Sequence, residues 1–191
     1  MTIIATPRLI LRKFTPEDLE ALFALLQDEM VNTFLPWFPA KSQADAEAFY
    51  LEKRENPYFF AICLRQGAAP IGYIKASDDE SHDFGYALRR EFWHQGITTE
   101  AGRALLEHLR GCGVPFVTAT HDVNNPRSGG VMQNLGMKYC YSYEEMVQPK
   151  NFPVIFRMYQ LNLDGKNHPV YDKYWNQSPH HFIETDIRRH S

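Results

Sequence analysis

No two cysteines of this chain are spaced to grip a metal or to close a redox-active ring. There are three, Cys63, Cys112 and Cys140, and they stand far apart. An odd, scattered set argues against a disulfide-stapled module and against a Cys-ligated zinc site, and fits a chain kept reduced in the cytoplasm. No apolar run approaches the roughly 20 residues that span a bilayer. The opening "MTIIATPRLILRKF" meets charge at Arg8, too early for a secretory leader. Charge of one sign is also lacking: 20 Lys and Arg stand against 23 Asp and Glu, a net −3. Such a balance offers nothing for nucleic acid to hold by bulk electrostatics. There is no internal repeat and no low-complexity segment. A glycine-rich phosphate loop is missing as well; the nearest thing, "FWHQGITTEA" (92–101), contains one glycine.

What is there suits one soluble domain. The 191 residues can enclose a real core, and 44% apolar with 23% charged residues is an ordinary globular balance. Residues 8–14 alternate enough to be a strand. Thr15 and Pro16 then open a helix with Leu19, Leu22, Phe23 and Leu26 on one face. A second helix starts at Ser42, with Asp45 three residues on, and stops before Asn56-Pro57. Strands are expected at 58–64 and 70–76, paired as a hairpin, and at 82–88. A helix follows from about 97 to 110, with Ala101, Leu105, Leu106 and Leu109 inward and Gly111 and Gly113 ending it. A strand at 115–121 leads to a short helix capped by Asn125, with Pro126 in its first turn and Gly136 as its stop. Two more strands, at about 138–145 and 154–162, complete the order. Crossovers mixed with hairpins predict an α/β chain with a mixed sheet and helices on its faces.

The stretch at 92–101 joins a strand to a helix. A helix start leaves about four N–H groups without partners and gathers partial positive charge. A phosphate accepts such groups where no Cβ blocks it, and Gly96 would permit the approach. Thr98 and Thr99 add hydroxyls, and Arg89, Arg90 and Arg103 add cations nearby. Taken alone, a single glycine before a helix is also common in turns that bind nothing.

Four segments in order change that balance: "TPRLILRKFTPEDLEALFALLQD", "PIGYI", "DFGYALRREFWHQGITTEAGRALLEHL" and "NNPRSGGVMQNLGM". Across roughly residues 6–162 the sequence resembles the GNAT superfamily of acetyl-CoA-dependent N-acetyltransferases, within it the branch of the ribosomal-protein alanine N-acetyltransferases. The resemblance implies a GNAT-type fold, its mostly antiparallel central sheet splayed between the fourth and fifth expected strands, 82–88 and 115–121. It implies a GNAT domain over 1–164 and an aromatic-rich extension over 165–191. Acetyl-CoA is the implied co-substrate, with no metal. The family loop R/Q-x-x-G-x-G/A falls on Trp93, His94, Gln95, Gly96, Ile97 and Thr98. Gly96 fits; Trp93 and Thr98 depart. By resemblance, His94, Gln95, Gly96, Ile97, Thr98 and Thr99 hold the pyrophosphate. The backbone near Tyr86, Ala87 and Leu88 pairs with the pantetheine arm, and Asn125 and Ser128 match the family's N-x-x-S beside it.

Acetyl transfer to an amine needs a lone pair on nitrogen, a polarised thioester carbonyl and an assisted thiolate. The family's tyrosine acid falls on Met132, which has no proton to give, so Ser128 becomes the expected partner of the sulfur, with an unassisted thiolate as the alternative. Asp83, just before Gly-Tyr of its strand, and His121, on the facing strand, are the expected bases, with a relayed water as the alternative. Direct attack in a ternary complex on a primary amine, a protein N-terminus or a small amine, is the expected reaction. A CoA-binding module without catalysis is the rival. The expected enzyme is cytoplasmic, monomeric or homodimeric, with no nucleic-acid or membrane partner. The adjacent His180 and His181 read as solvated tail. Tyr171, Tyr174, Trp175 and Phe182 either pack on their own domain, cover the acceptor pocket or build a dimer contact. If the acidic run at 77–81 draws in a cationic acceptor, reversing the charges of Asp78 and Asp79 will raise the acceptor KM in steady-state assays; an unchanged KM rules that role out.

Overall fold

A computed structural model describes residues 2–187. The last four residues of the expected extension, 188–191, lie outside the described residues. Strand β1 (Ile3–Ala5) and strand β2 (Leu9–Arg12) form a hairpin, so Ile3–Ala5 adds a strand to the expected set. The first helix does not run straight from Pro16. It begins as a tight 3-10 turn (Pro16–Asp18), continues as α1 (Leu19–Leu26) and breaks before α2 (Glu29–Asn32). The break has a local cause: the Asp28 side chain accepts from the N–H groups of Met30 and Val31, which starts a new helix. Helix α3 (Gln43–Lys53) is opened by the reciprocal Ser42–Asp45 box that its spacing predicts.

Then come β3 (Phe59–Leu64), β4 (Pro70–Ala76), β5 (Phe84–Leu88), α4 (Ile97–Gly111), β6 (Phe116–Asp122), α5 (Pro126–Asn134), β7 (Lys138–Val147) and β8 (Phe152–Asn162). The tail adds a short helix, α6 (Lys173–Gln177), and a two-residue strand, β9 (His181–Phe182). Among the described residues every strand pair is antiparallel, in two sheets ordered β1-β2-β3-β4-β5 and β6-β8-β7-β9. The break falls between the expected fourth and fifth strands: β5 and β6 lie side by side but share no ladder.

Alternation sorts the first sheet into two buried faces. Leu9, Leu11, Phe60, Ile62, Ile74 and Phe84 meet Ala101, Leu105 and Leu109 of α4. Phe59, Ala61, Tyr73 and Ala87 meet Leu22, Leu25 and Leu26 of α1 and Ala46 of α3. The second sheet continues the α4 side with Val117, Ala119 and Tyr159. Its other face, Tyr141, Tyr143 and Met158, is covered by Tyr171, Tyr174 and Trp175 of the tail. The tail is pinned there. Tyr141 donates to the carbonyl of Tyr171 at 2.7 Å and β9 pairs with β7; beyond β9, Glu184 pairs with Arg157 on the α4–α5 side of the sheet.

A half-buried ion pair ties β2 to the turn that leads into α1. Arg12 grips Asp18 with two bonds, Nη1–Oδ2 at 2.6 Å and Nη2–Oδ1 at 2.8 Å. Burial alone would push the Asp18 carboxyl up; the bonds from Arg12 and from the Thr15 amide outweigh it and hold it below its ordinary value. A depressed folded-state pKa contributes stability above the ordinary carboxylate range, and that contribution fades as pH falls through it. Asp18→Asn will therefore lower unfolding stability by about 2 kcal/mol at neutral pH. In urea melts the gap to wild type will narrow below about pH 4; a gap independent of pH would contradict this.

Candidate active site

The parting between β5 and β6 is closed at one end and open at the other. At the closed end the Ser81 carbonyl accepts from the Thr118 backbone N–H at 3.3 Å and from its hydroxyl at 2.9 Å. On the far side of β5, Asp83 and Arg89 exchange bonds with Ser77 and Ile71 beside β4. Antiparallel ladders alternate, so the groups of Ala87 turn to β4, while those of Tyr86 and Leu88 turn to the parting. The indole N–H of Trp93 donates to the Leu88 carbonyl at 2.7 Å. Of the three expected backbone positions, Tyr86 thus presents both its groups to the gap. The same bond explains the departure at Trp93: its side chain fastens the loop to the end of β5.

That loop turns on two left-handed residues, His94 (φ 58°) and Gly96 (φ 70°). Helix α4 starts immediately after, without a side-chain cap. Its first backbone bond runs from the Glu100 N–H to the Gly96 carbonyl at 3.0 Å, which leaves the amides of Ile97, Thr98 and Thr99 at the helix mouth. Arg8 steadies this mouth. It donates to Glu100 Oε2 at 2.5 Å and to the Gln95 carbonyl at 2.8 Å. Burial would raise the Glu100 carboxyl, but Thr6 and Arg8 hold it below its ordinary value. Arg8 thus balances the one carboxylate set in this first turn. Uncapped N–H groups at a positive helix end form a ready anion seat, so His94, Gln95, Gly96, Ile97, Thr98 and Thr99 are together at one place.

Across the parting, the Asn125 side chain caps α5 by accepting from the Ser128 N–H at 3.4 Å. The Tyr86 hydroxyl spans the gap to Ser128, 2.8 Å from its Oγ and 2.9 Å from its carbonyl oxygen. Met132 is buried in the core.

The two expected bases are not brought together. Lys75 and Gly85 lie on the sheet face opposite Phe84, and Asp83 pairs with Lys75 there at 2.7 Å. His121 lies on the α4–α5 face, cross-strand from Arg157, and is only 4% exposed. Its Nδ1 is 2.8 Å from the Asp122 carbonyl, and Nε2 is buried without a partner among the described residues. That nitrogen abuts α5, since a Cβ built on Gly129 would stand 2.6 Å from it. Burial lowers the pKa of this imidazole, so it is a neutral, packed ring. His181, in the tail, stacks on Trp175 and bonds the Ser178 carbonyl. Among the described residues no cluster of three metal-ligating side chains occurs.

A residue outside the expected set shares the Asp83 side. Tyr141, Tyr143 and Glu145 alternate onto one face of β7. The Glu145 side chain is exposed, yet desolvation by the protein around its carboxyl pushes its pKa up; a hydrogen bond from Tyr143 opposes that shift and the Asp83 charge adds to it. The signal was in the sequence: an acid two residues beyond two aromatics, on the core-facing parity of a strand. Tyr174 of α6 stacks on Tyr143 at 5.2 Å between ring centroids. An open groove of 780 Å³ between α1 and α3, lined by Trp37, Phe38 and Phe49, contains no residue of β5, α4 or α5 and lies apart from the parting.

The family model for the acetyltransferase (GNAT) domain matches residues 8–138, and the chain belongs to that family. It is an acyl-CoA-dependent N-acetyltransferase by that membership. An uncharacterised N-acetyltransferase of Bacillus subtilis (strain 168), YnaD, is 28% identical over 140 residues, 71% of this chain and 82% of that one. In fold, the chain is similar to a GNAT-family acetyltransferase of Bacillus anthracis, with TM-score 0.76, 21% identity, and coverage of 85% and 99% of the two chains. It is similar also to the Salmonella typhimurium enzyme described as modifying the N-terminal serine of ribosomal protein L7/L12, with TM-score 0.75, 19% identity, and coverage of 85% and 100%.

The contact between His121 and α5 makes a direct prediction. Gly129→Ala will destabilise the fold by about 1–3 kcal/mol, because the added methyl meets a ring that cannot withdraw. Adding His121→Ala will remove that clash, so in thermal melts the Gly129 substitution will cost less in the double variant than alone. Equal costs in both backgrounds would show that the two residues do not touch.

Proposed function

We propose that this chain moves acetyl from acetyl-CoA to a primary amine by direct attack in a ternary complex in the cytoplasm, as a monomer or homodimer. The observation that carries this reading is the parting itself. Tyr86 faces it with a free amide and carbonyl, able to pair with an amide-bearing arm as an added strand would. The uncapped mouth of α4, at the open end, suits the pyrophosphate. Asn125 and Ser128 line the other side. The groups present fit acetyl-CoA without a metal.

The amine approaches from the face that carries Asp83 and Glu145, opposite α4 and α5. There Glu145 is the base best suited to deprotonating it. A raised carboxyl is a stronger proton acceptor than an ordinary one, and the Asp83–Lys75 pair beside it tunes that strength. The nitrogen lone pair attacks the thioester carbon, the amine's proton passes to Glu145 directly or through water, and the C–S bond breaks with its electrons on sulfur. Ser128 assists the departing thiolate. His121, packed against Gly129 on the other face, takes no part. The acceptor is a protein N-terminus or a small amine. Support for both comes from proteins of the same fold: the L7/L12-modifying enzyme above, and a spermidine N-acetyltransferase of Vibrio cholerae solved with CoA and spermine.

The rival reading, a CoA-binding module without turnover, has one observation in its favour: Met132 stands buried where the family's proton donor belongs. Acetyl-CoA will raise the melting temperature under either reading; release of free CoA thiol with a panel of amines and peptides marks the enzyme.

With an acceptor in hand, Glu145→Gln will lower kcat by about 10²–10⁴-fold. The base works only when deprotonated. In wild type the acidic limb of kcat at saturating acceptor will therefore lie above the ordinary carboxylate value of about 4.3. Asp83→Asn, by removing a neighbouring negative charge, will move that limb to lower pH, and His121→Ala will leave it in place. A limb that ignores Glu145→Gln would refute the assignment.

A further inference from the structure

We infer that Tyr86 is a positioning residue that turns the hydroxyl of Ser128 toward the coenzyme sulfur. The inference rests on the acetyl-transfer reading above, with Ser128 beside the departing thiolate. Alternation on β5 puts Tyr86 on the same face as Phe84 and Leu88, toward α4 and α5. From there its hydroxyl reaches across the parting to two acceptors on one residue, Ser128 Oγ at 2.8 Å and the Ser128 carbonyl at 2.9 Å.

A phenol has one proton to place, and the two placements have opposite consequences. Donated to the carbonyl, it leaves the phenol oxygen to accept the proton of Ser128, and the serine has nothing to offer sulfur. Donated to Oγ, it satisfies the serine oxygen and frees the serine's own proton to point into the parting. Negative charge arriving on sulfur favours the second arrangement, because the freed O–H then meets the anion. Two rotations about C–O bonds exchange the states, with no movement of the backbone.

The chemistry balances without ionising either hydroxyl. The N–C bond forms, the C–S bond breaks, the electron pair stays on sulfur, and the amine's proton leaves to the base. Ser128 donates a hydrogen bond to the thiolate and keeps its proton. Burial pushes the Tyr86 phenol above its ordinary value, so it remains a donor throughout the working range. A phenol that α5 lacks at Met132 is thus supplied from β5, acting one residue removed from sulfur.

The test uses CoA itself, so it needs no acceptor. The thiolate of bound CoA is titrated by its ultraviolet absorbance in wild type, Tyr86→Phe, Ser128→Ala and the double variant, with CoA affinity measured by calorimetry in each. Tyr86→Phe keeps the ring and its packing. It should raise the pKa of the bound thiol by about one unit, the worth of one oriented hydrogen bond, with CoA affinity below that pKa unchanged. Ser128→Ala should raise that pKa by a similar amount, and the double variant should raise it no further than either. If Ser128→Ala shifts the titration and Tyr86→Phe does not, or if the two shifts add, the positioning role is wrong while the acetyl-transfer reading stands. If wild type binds no CoA, both fall.

Discussion

Among the described residues, Ser81 joins the two sheets at one end of the parting. Its carbonyl takes both the N–H and the hydroxyl of Thr118, and beyond that point β5 and β6 go apart without a ladder. Backbone groups inside a protein must find partners. Those of Tyr86 face a gap, which on the proposed reading an amide-bearing arm fills. The rest of the molecule is arranged about this constraint. Helices α4 and α5 close one side of the parting, and Trp93 fastens the loop at its open end. The tail, laid over Tyr141 and Tyr143, shapes the opposite side.

Charge is distributed in the same sense. The mouth of α4 carries partial positive charge from its own amides, and Arg8 offsets Glu100, the acid in its first turn. On the other face Asp83 and Glu145 gather negative charge near two stacked tyrosines, with Lys75 holding Asp83. Under the proposed reading, the anionic coenzyme and the amine acceptor meet opposite sides of the parting between the two sheets. The parting is where the two faces communicate.

Much of this was legible in the residues. Periodicity located α3, α4, α5 and the β3–β4 hairpin closely, since caps and stops such as Ser42, Asn125 and Gly96 act locally. The order of motifs located the parting. Properties set by tertiary contact were not legible. Ile3–Ala5 became a strand through the edge that β2 offered; the split of the first helix at Asp28 is local, but an Asp bonds nearby amides in any turn and so does not mark it. Asp83 and His121 both stood as expected bases, Asp83 ahead, because one sequence does not say which face a strand residue meets once the sheet divides. Trp93 read as a departure from the family loop until its indole was found on the Leu88 carbonyl. Glu145 and the reach of Tyr86 to Ser128 depend on neighbours more than 40 residues away in the chain.

The central claim is that the arm of acetyl-CoA fills the gap between β5 and β6 while its pyrophosphate rests on the first turn of α4. Backbone amide hydrogen exchange, measured residue by residue with and without CoA, tests it most directly. The account predicts slowed exchange at Tyr86 and at Ile97, Thr98 and Thr99, with α3 unchanged. Protection confined to the groove between α1 and α3, with Tyr86 and the mouth of α4 exchanging as before, would contradict it.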